Sequence, residues 1–189
     1  MIEGPETERL FVAITLPEAV REALRALAEP LHGVSWVRRE QLHVTLRFLG
    51  DVPTDRMEGV CQRLADIRVE PFILPVESVG TFPPKRPPRV IWAGTGAGHP
   101  RLFQLRQRLD DSLIAAGIEF DLRRFEPHIT VARCPEAAAP GVAQWLHRHR
   151  EFSAPPFRVE AFDLYSSVLG PGGAEHALLR RFELSAAKV

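Results

Sequence analysis

Hydrophobic and polar residues alternate along this chain with two different periods. Apolar residues at every second position are typical of a strand with one buried face. Apolar residues at every third or fourth position, as in the leucine stripe between 100 and 116, predict a helix, here ended by Gly117. The pattern predicts strands over 9–16, 34–37, 41–49, 72–82, 89–93, 119–122 and 128–133, helices over 17–28, 53–67, 100–116 and 140–149, and a final hairpin of 157–168 with 175–184. Because strands and helices mix without strict alternation, the predicted fold class is α+β.

One four-residue phrase, histidine–apolar–threonine–apolar, occurs twice, at 43–46 and at 128–131. Each copy lies in a predicted strand, where successive side chains point to opposite faces of the sheet. His43 and Thr45 therefore share one face, as do His128 and Thr130, while the apolar residues point toward a core. With 7 histidines in 189 residues, two chance matches are not expected, although any short motif can arise by coincidence.

The spacing of the two phrases indicates an internal repeat. They begin 85 residues apart, and each is followed by a predicted helix and then by a long pair of strands. We therefore expect two similar lobes, each contributing one His-x-Thr strand to a shared cleft.

Two histidines in one cleft have a defined chemical use. A neutral imidazole acts as a general base and a protonated one as a general acid, so two of them can run both proton transfers of one reaction. Threonine hydroxyls on the same face can donate hydrogen bonds to the non-bridging oxygens of a phosphate. The combination indicates in-line displacement at a phosphodiester without a covalent enzyme intermediate.

Two alternative roles for the histidines remain open. They could bind a metal, but neither has a carboxylate or cysteine beside it at ligand spacing, and no His-Glu-x-x-His helix is present. They could also be ordinary core histidines, with threonine merely suiting a strand; the duplication argues against this. We expect no metal site and no cofactor.

Composition places the chain among ordinary globular proteins. It is 45% hydrophobic and 25% charged with a formal net charge of zero, so no overall attraction to nucleic acid is evident. All but two of its 24 basic residues are arginine, whose planar fork suits phosphate, although genome composition or thermal adaptation explains such a bias equally well. Cys61 and Cys134 are predicted to be free thiols, which fits a reducing compartment. Since no apolar signal core or membrane-spanning run is present, we expect a cytoplasmic protein with no membrane association.

The residues around both phrases resemble a known family. The segments that carry the likeness are Trp36-Val37, Gln41-Leu42-His43-Val44-Thr45-Leu46-Arg47-Phe48-Leu49-Gly50 and Pro127-His128-Ile129-Thr130-Val131-Ala132-Arg133, with support from Leu164-Tyr165-Ser166-Ser167 and Arg181-Phe182-Glu183-Leu184. Together they resemble the 2H phosphoesterase superfamily, and within it the RNA 2′,3′-cyclic phosphodiesterases, also called 2′-5′ RNA ligases. The tandem motif is the specific part of this resemblance.

The resemblance implies a fold, a reaction and residue roles. Residues 1–189 would form a single bilobal 2H phosphoesterase domain, with two pseudo-symmetric antiparallel-sheet lobes, flanking helices and a metal-independent site in the central cleft. The reaction would be hydrolysis of a terminal RNA 2′,3′-cyclic phosphate to a 2′-phosphomonoester. His43 would be the proton donor to the leaving 3′-oxygen and His128 the base that activates water, with Thr45 and Thr130 holding the phosphate.

The two phrases differ in the residues just beyond them. Five positions after each histidine stand Phe48 and Arg133. The resemblance places Arg133 at the substrate phosphate, which a bidentate contact would suit, but strict alternation aims it away from His128, so a twist, bulge or strand end is required. Phe48 could stack on a base or pack in the core, and Arg47, on the His43 face, could touch RNA or be solvated. His176 stands where the family often has a tyrosine, and we expect it to be an exposed turn residue rather than a substrate contact.

The same fold also allows different functions. The chain could be a non-catalytic RNA- or nucleotide-binding module whose His-Thr pairs only grip phosphate, or a 2H enzyme acting on another cyclic nucleotide. It could also run in reverse as a weak 2′-5′ RNA ligase. The expected partner is RNA with a 2′,3′-cyclic phosphate end; no protein partner is evident, so a monomer is expected.

Overall fold

The computed structural model describes residues 6–84, 86–119, 121–134, 141–170 and 173–186. Its strands are β1 (Thr7–Thr15), β2 (Ser35–Trp36), β3 (His43–Pro53), β4 (Phe72–Phe82), β5 (Val90–Gly94), β6 (His128–Arg133), β7 (Ser153–Val159), β8 (Ala161–Gly170) and β9 (Gly173–Glu183). Its α-helices are α1 (Glu18–Arg25), α2 (Met57–Ala65), α3 (Pro100–Ala115) and α4 (Val142–His149), with 3₁₀ turns at Arg39–Gln41 and Thr54–Arg56. In the described part of the chain, no helix has the length and apolar character needed to cross a membrane.

The nine strands form one antiparallel sheet in the order β7-β4-β5-β6-β3-β1-β8-β9, with β2 added beside β6. The two motif strands, β3 and β6, are neighbours at its centre and pair through Val44 and Ile129. Both residues are fully buried in a core that also takes the leucine stripe of α3. The opposite face carries the motif histidines and threonines, which keep part of their surface exposed. The predicted α+β fold with antiparallel lobes and a central cleft is confirmed.

The two halves of the sheet are copies of one strand–helix–strand unit. β1 and β3 flank α1, and β5 and β6 flank α3, with both strand pairs antiparallel. Their registers match residue for residue. In the pair of β1 and β3, residues 11, 12, 13, 14 and 15 lie opposite 48, 47, 45, 44 and 43. In the pair of β5 and β6, residues 90, 91, 92, 93 and 94 lie opposite 133, 132, 130, 129 and 128. Each unit therefore has one unpaired residue at the same place, Leu46 in one half and Val131 in the other. The repeat predicted from the sequence thus extends to an irregularity of the backbone that both halves share.

These two β-bulges change which side chains reach the histidine face. A bulge inserts one extra residue and shifts the alternation of faces for all residues beyond it. Phe48 is consequently 48% exposed and lies beside the threonine of its own strand, and Arg133 is exposed at the matching position. The irregularity required to bring Arg133 round to the histidine face is therefore present.

Arg47 behaves differently from the sequence prediction. We expected it on the His43 face, but the bulge turns it to the core side, where it is only 3% exposed. Its Nε lies 2.8 Å from the Asp110 carboxylate, and its other nitrogens donate to the carbonyls of Phe48 and Glu119. Arg106 on α3 completes the cluster through a 2.8 Å bond to Asp110 and a 2.6 Å bond to the Leu46 carbonyl. Arg47 thus belongs to a buried ion-pair cluster on the core side of the sheet.

The same cluster explains why the strand predicted over 119–122 is wrong. In the other half β2 pairs with β6 beside the bulge, and the Val131 carbonyl accepts a hydrogen bond from the Val37 N–H at 2.9 Å. The corresponding edge of β3 is instead occupied by the two guanidinium groups, so the described residues of 119–122 have no strand to pair with. Position 120 lies outside the described residues.

Two element boundaries also differ from the prediction. We expected the first motif strand to stop at Gly50, but β3 continues to Pro53 because Gly50 adopts φ of +78° beside a second bulge opposite β1. The single strand predicted over 157–168 is two strands that divide at Glu160. β7 pairs with β4 at one edge of the sheet, whereas β8 pairs with β1 in the other half. The predicted final hairpin is present as β8 and β9, with positions 171–172 outside the described residues.

Replacing Arg47 with alanine is expected to lower the free energy of unfolding by about 3 kcal/mol, because it removes one of the two arginine donors to the partly buried Asp110 carboxylate and the donor to two carbonyls. Urea unfolding followed by circular dichroism measures the change. Arg108→Ala, an exposed arginine on α3, is the matched control and should cost less than about 0.5 kcal/mol. Equal losses in the two variants would contradict a structural role for Arg47.

Candidate active site

The central strand pair brings the four motif side chains into one square. Because Val44 pairs with Ile129 in an antiparallel register, Thr45 lies across from His128 and Thr130 lies across from His43. Each histidine therefore has one threonine on its own strand and one on the partner strand. The sequence predicted that both pairs contribute to one shared cleft, and the structure places them on one face of the sheet.

Both imidazoles are oriented by the same backbone contact. The Nδ1 of His43 lies 2.7 Å from the carbonyl oxygen of Gln41, and the Nδ1 of His128 lies 2.7 Å from that of Glu126. A carbonyl only accepts hydrogen bonds, so each Nδ1 carries a proton. The neutral form of each ring then has its Nε2 as a hydrogen-bond acceptor available to a ligand. This repeated contact two residues back along the chain sets the tautomer of both rings.

The ring of His43 is enclosed by other rings. Its centroid lies 5.0 Å from that of Phe11, 5.5 Å from that of His176 and 6.4 Å from that of Tyr165. Burial lowers the pKa of His43 to about 4, against the weaker opposing effect of the Gln41 carbonyl. The positive charges of His176, Arg133 and His128 lower it further. His43 is therefore neutral at neutral pH in the free protein.

His176 is part of the site, and the prediction that it is an exposed turn residue is wrong. It lies within β9, where Ser167 of β8 is its partner, and its ring meets that of His43 edge to face at 82°. The centroid of Phe11 is 4.8 Å away. Burial, followed in the downward direction by the charge of Arg133, lowers the pKa of His176. The hairpin of β8 and β9 is held beside the site by the Gln41 side chain, which donates a hydrogen bond to the Ala174 carbonyl.

A polar network beneath His43 has no counterpart among the sequence predictions. Thr15 pairs with His43 across β1 and β3, and its hydroxyl bonds to the carboxylate of Asp163 and to the hydroxyl of Tyr165. Asp163 is 1% exposed, and burial raises its pKa; burial also raises the pKa of Tyr165. An aspartate flanked by apolar residues at 162 and 164 was the available signal, since a buried acid needs a partner.

The surroundings of His128 are more open and lead into two cavities. Its ring meets that of Phe82 edge to face, with centroids 4.9 Å apart. The first cavity, of about 290 Å³, extends from His128 past Thr45 and Phe48. The second cavity, of about 310 Å³, extends from His128 in the direction of Trp92. Phe82 and the segment 124–126 line both cavities.

Asp121 and residues 123–126 form one wall of the first cavity, and 124–126 also line the second. Arg123 lies over the ring of Phe48, with 5.5 Å between the guanidinium carbon and the ring centroid. It is held by Asp121, whose pKa it lowers to about 2 through a hydrogen bond of 2.8 Å. The ion-pair cluster of Arg47 and Arg106 touches the other side of Asp121, at 3.5 and 3.7 Å. The buried cluster therefore fixes the position of the cavity wall.

Metal binding and thiol reactivity both depend on how His, Cys, Asp and Glu side chains are arranged. Within the described ranges, no group of three or more His, Cys, Asp or Glu side chains is arranged to hold a metal ion. Cys61 and Cys134 are both free and buried, and burial raises the pKa of each thiol.

Comparison with known proteins identifies the class of this site. The family described as LigT like Phosphoesterase matches the chain twice in tandem, over residues 14–92 and 96–174. The fold is therefore that of a phosphoesterase. The chain belongs to the LigT-like phosphoesterase family, as its resemblance to the 2H phosphoesterases implied.

Relatives and solved structures agree with this assignment along nearly the whole chain. RNA 2′,3′-cyclic phosphodiesterase of Archaeoglobus fulgidus is 34% identical over 93% of this chain and 99% of its own. The enzyme of the same name from Thermus thermophilus is 35% identical over 93% of this chain and 90% of its own. A crystal structure of Escherichia coli LigT complexed with 3′-AMP superimposes with a TM-score of 0.76 at 30% identity, covering 95% of this chain and 99% of that one.

In the free protein the ring of His43 should titrate with a midpoint near pH 4, because it is buried. Above that pH the neutral ring should carry its proton on Nδ1, because Nδ1 bonds to a carbonyl. Nitrogen-15 NMR of the imidazoles as a function of pH measures both properties, and His43→Gln assigns the signal. Addition of inorganic phosphate should raise the midpoint, since a nearby anion stabilises the charged ring. A midpoint at or above the ordinary 6.5 without ligand would contradict the buried environment.

Proposed function

We propose that this protein hydrolyses the 2′,3′-cyclic phosphate at the end of an RNA to a 2′-phosphomonoester. The observation that carries the proposal is the pair of histidines on the cleft face, each fixed through Nδ1 with its Nε2 available for proton transfer. The relatives named RNA 2′,3′-cyclic phosphodiesterase support the choice of substrate.

The proposed reaction is a single in-line displacement. His128 takes a proton from water through Nε2 while the water oxygen bonds to phosphorus. The bond between phosphorus and the 3′-oxygen breaks, and His43 gives its Nε2 proton to that oxygen. The products are a 2′-phosphomonoester and a free 3′-hydroxyl. His128 ends protonated and His43 neutral, and exchange with solvent restores both.

Neighbouring side chains have proposed roles in holding the phosphate. Thr45 and Thr130 donate hydrogen bonds to its non-bridging oxygens, where negative charge increases in the transition state. Arg133 supplies a positive charge that already affects His43 and His176 in the free protein. Phe48, exposed at the first cavity beside Arg123, is a stacking surface for a base.

The substrate itself takes part in protonating the acid. His43 is neutral in the free protein because burial and three positive neighbours lower its pKa. A phosphodiester anion bound between the histidines opposes that effect, and so favours the protonated form that the donor role requires. This explains how a buried histidine can serve as the acid.

Non-catalytic binding of RNA, hydrolysis of another cyclic nucleotide and weak 2′-5′ ligation are the alternatives that the same site allows. A cytoplasmic monomer without a metal or cofactor remains our prediction. End-group analysis of the product from a defined oligonucleotide separates the 2′-phosphate from the 3′-phosphate outcome. Turnover in the presence of EDTA supports the metal-independent enzyme, whereas absence of turnover at every pH would exclude it in favour of a binding module.

Replacing either histidine with alanine should lower kcat by about 10²- to 10⁴-fold, because each supplies one proton transfer. Thr45→Ala and Thr130→Ala should each lose about tenfold to a thousandfold, as expected for one transition-state donor. Hydrolysis of a cyclic-phosphate oligonucleotide measures all four. His147→Ala, an exposed histidine on α4, is the control and should retain full rate. Near-full activity in either active-site histidine variant would show that the two-histidine mechanism is wrong.

The assignment of acid and base can be tested with a substrate whose 3′-oxygen is replaced by sulfur. A thiolate departs without being protonated, so this substrate no longer needs the acid. His43→Ala should then regain most of its lost rate relative to the oxygen substrate, while His128→Ala should not. Rescue of His128→Ala instead would reverse the two roles.

A further inference from the structure

The second cavity is not used by the proposed reaction. It begins at His128, as the first cavity does, but it extends the other way along the sheet, toward Trp92 and the start of α3. One nucleoside with a cyclic phosphate needs only one of the two cavities for its base. A role for the second cavity in binding RNA rests on the proposed function. It would mean that the protein contacts a second part of the RNA substrate.

The floor of the second cavity is an indole at a fixed place in the repeat. Trp92 pairs with Thr130 across β5 and β6, so it lies on the cleft face. The matching position in the other half is Ala13, paired with Thr45. Space for the indole comes from Gly80 of β4, where a Cβ would lie 2.1 Å from an atom of the Trp92 ring. The large ring therefore exists in one half only.

Three phenylalanines form the walls of the second cavity. The rings of Phe82 and Trp92 have centroids 5.5 Å apart. Phe103 and Phe125 also line the cavity and meet edge to face, with centroids 5.8 Å apart. Phe103 is 43% exposed, so its ring is accessible from the cavity. Flat rings around a space of about 310 Å³ suit a flat aromatic ligand.

Two charged residues of opposite sign line both cavities, Arg124 and Glu126. A guanidinium group can bind a phosphate that joins two nucleotides, so Arg124 is the residue suited to that phosphate. An RNA strand that runs from one cavity to the other would place one base on each side of His128.

We propose that the second cavity is a nucleobase subsite, so that the enzyme binds two adjacent nucleotides of its RNA substrate, one in each cavity. The upstream base stacks among Trp92, Phe82 and Phe103, and the phosphate between the nucleotides lies at Arg124. Stacking of this kind accepts any base, because every base has an aromatic face. The subsite thus provides a preference for oligonucleotides over mononucleotides without reading sequence.

Phe103→Ala tests the subsite with two substrates, adenosine 2′,3′-cyclic phosphate and a diadenylate that ends in the same cyclic phosphate. The variant should lose about fivefold to a hundredfold in kcat/KM for the dinucleotide, the range that one base–aromatic stack supplies. Its kcat/KM for the mononucleotide should stay unchanged. Ile114→Ala, which removes an apolar side chain of similar exposure (46%) from the same helix, should change neither.

A dinucleotide with an abasic upstream residue separates stacking from a general effect on the fold. The wild type should lose at least as much on this substrate as Phe103→Ala loses on the intact one, because the abasic residue gives up its contacts with Trp92 and Phe82 as well. Removing the base should cost the variant less than it costs the wild type. Equal losses of the variant on mononucleotide and dinucleotide, or no loss on either, would overturn the subsite.

Binding distinguishes failure of the subsite from failure of the proposed function. The dinucleotide with a 2′-phosphate end should bind more tightly than adenosine 2′-phosphate and should quench tryptophan fluorescence, with both differences reduced in Phe103→Ala. These differences support the subsite even if no hydrolysis is observed. Hydrolysis of both substrates without any base-dependent difference in binding contradicts the subsite and leaves the proposed reaction intact.

Discussion

The pairing of Val44 with Ile129 is the contact on which the site depends. It is the one residue pair that joins the two motif strands, and it lies at the centre of a sheet whose halves otherwise pair only within themselves in the described residues. Its antiparallel register places each histidine opposite the threonine of the other strand. A shift of either strand by one residue would turn its histidine into the core and its apolar residues toward solvent. The fully buried Val44 and Ile129 thus hold the register that the polar side chains require.

The bulges at Leu46 and Val131 make this symmetric frame asymmetric. Each leaves a carbonyl without a ladder partner at the same place, but the two halves satisfy it differently. The Val131 carbonyl accepts from the backbone of Val37, and the Leu46 carbonyl accepts from the side chain of Arg106. The first solution adds strand β2 to the sheet. The second leaves the segment after α3 free of the sheet, and that segment supplies the cavity wall at 123–126. One side of the cleft is therefore closed by a strand and the other is lined by a polar wall.

The sequence predicts the parts of this molecule that depend on local pattern. Alternation places His43 and Thr45 on one face, and the duplicated phrase predicts the repeat. The need for a twist, a bulge or a strand end before Arg133 was also evident, because alternation alone aims it away. The remaining features depend on contacts between distant segments. Arg47 is buried because Asp110 on α3 meets it, and His176 reaches the site because β9 folds back on β8. Such pairings leave no periodic signal in the chain.

The side chains that surround the two histidines differ although the backbone contacts of the two rings are identical. Both rings donate through Nδ1 to a carbonyl at 2.7 Å, so the tautomer is the same in each half. The difference arises from the strands outside the repeat unit. β8 and β9 add Tyr165 and His176 around His43, whereas β4 places only Phe82 edge to face against the more open His128. A duplicated unit with unlike neighbours therefore gives its two copies of one residue unlike surroundings. In the more enclosed copy, burial lowers the pKa of His43.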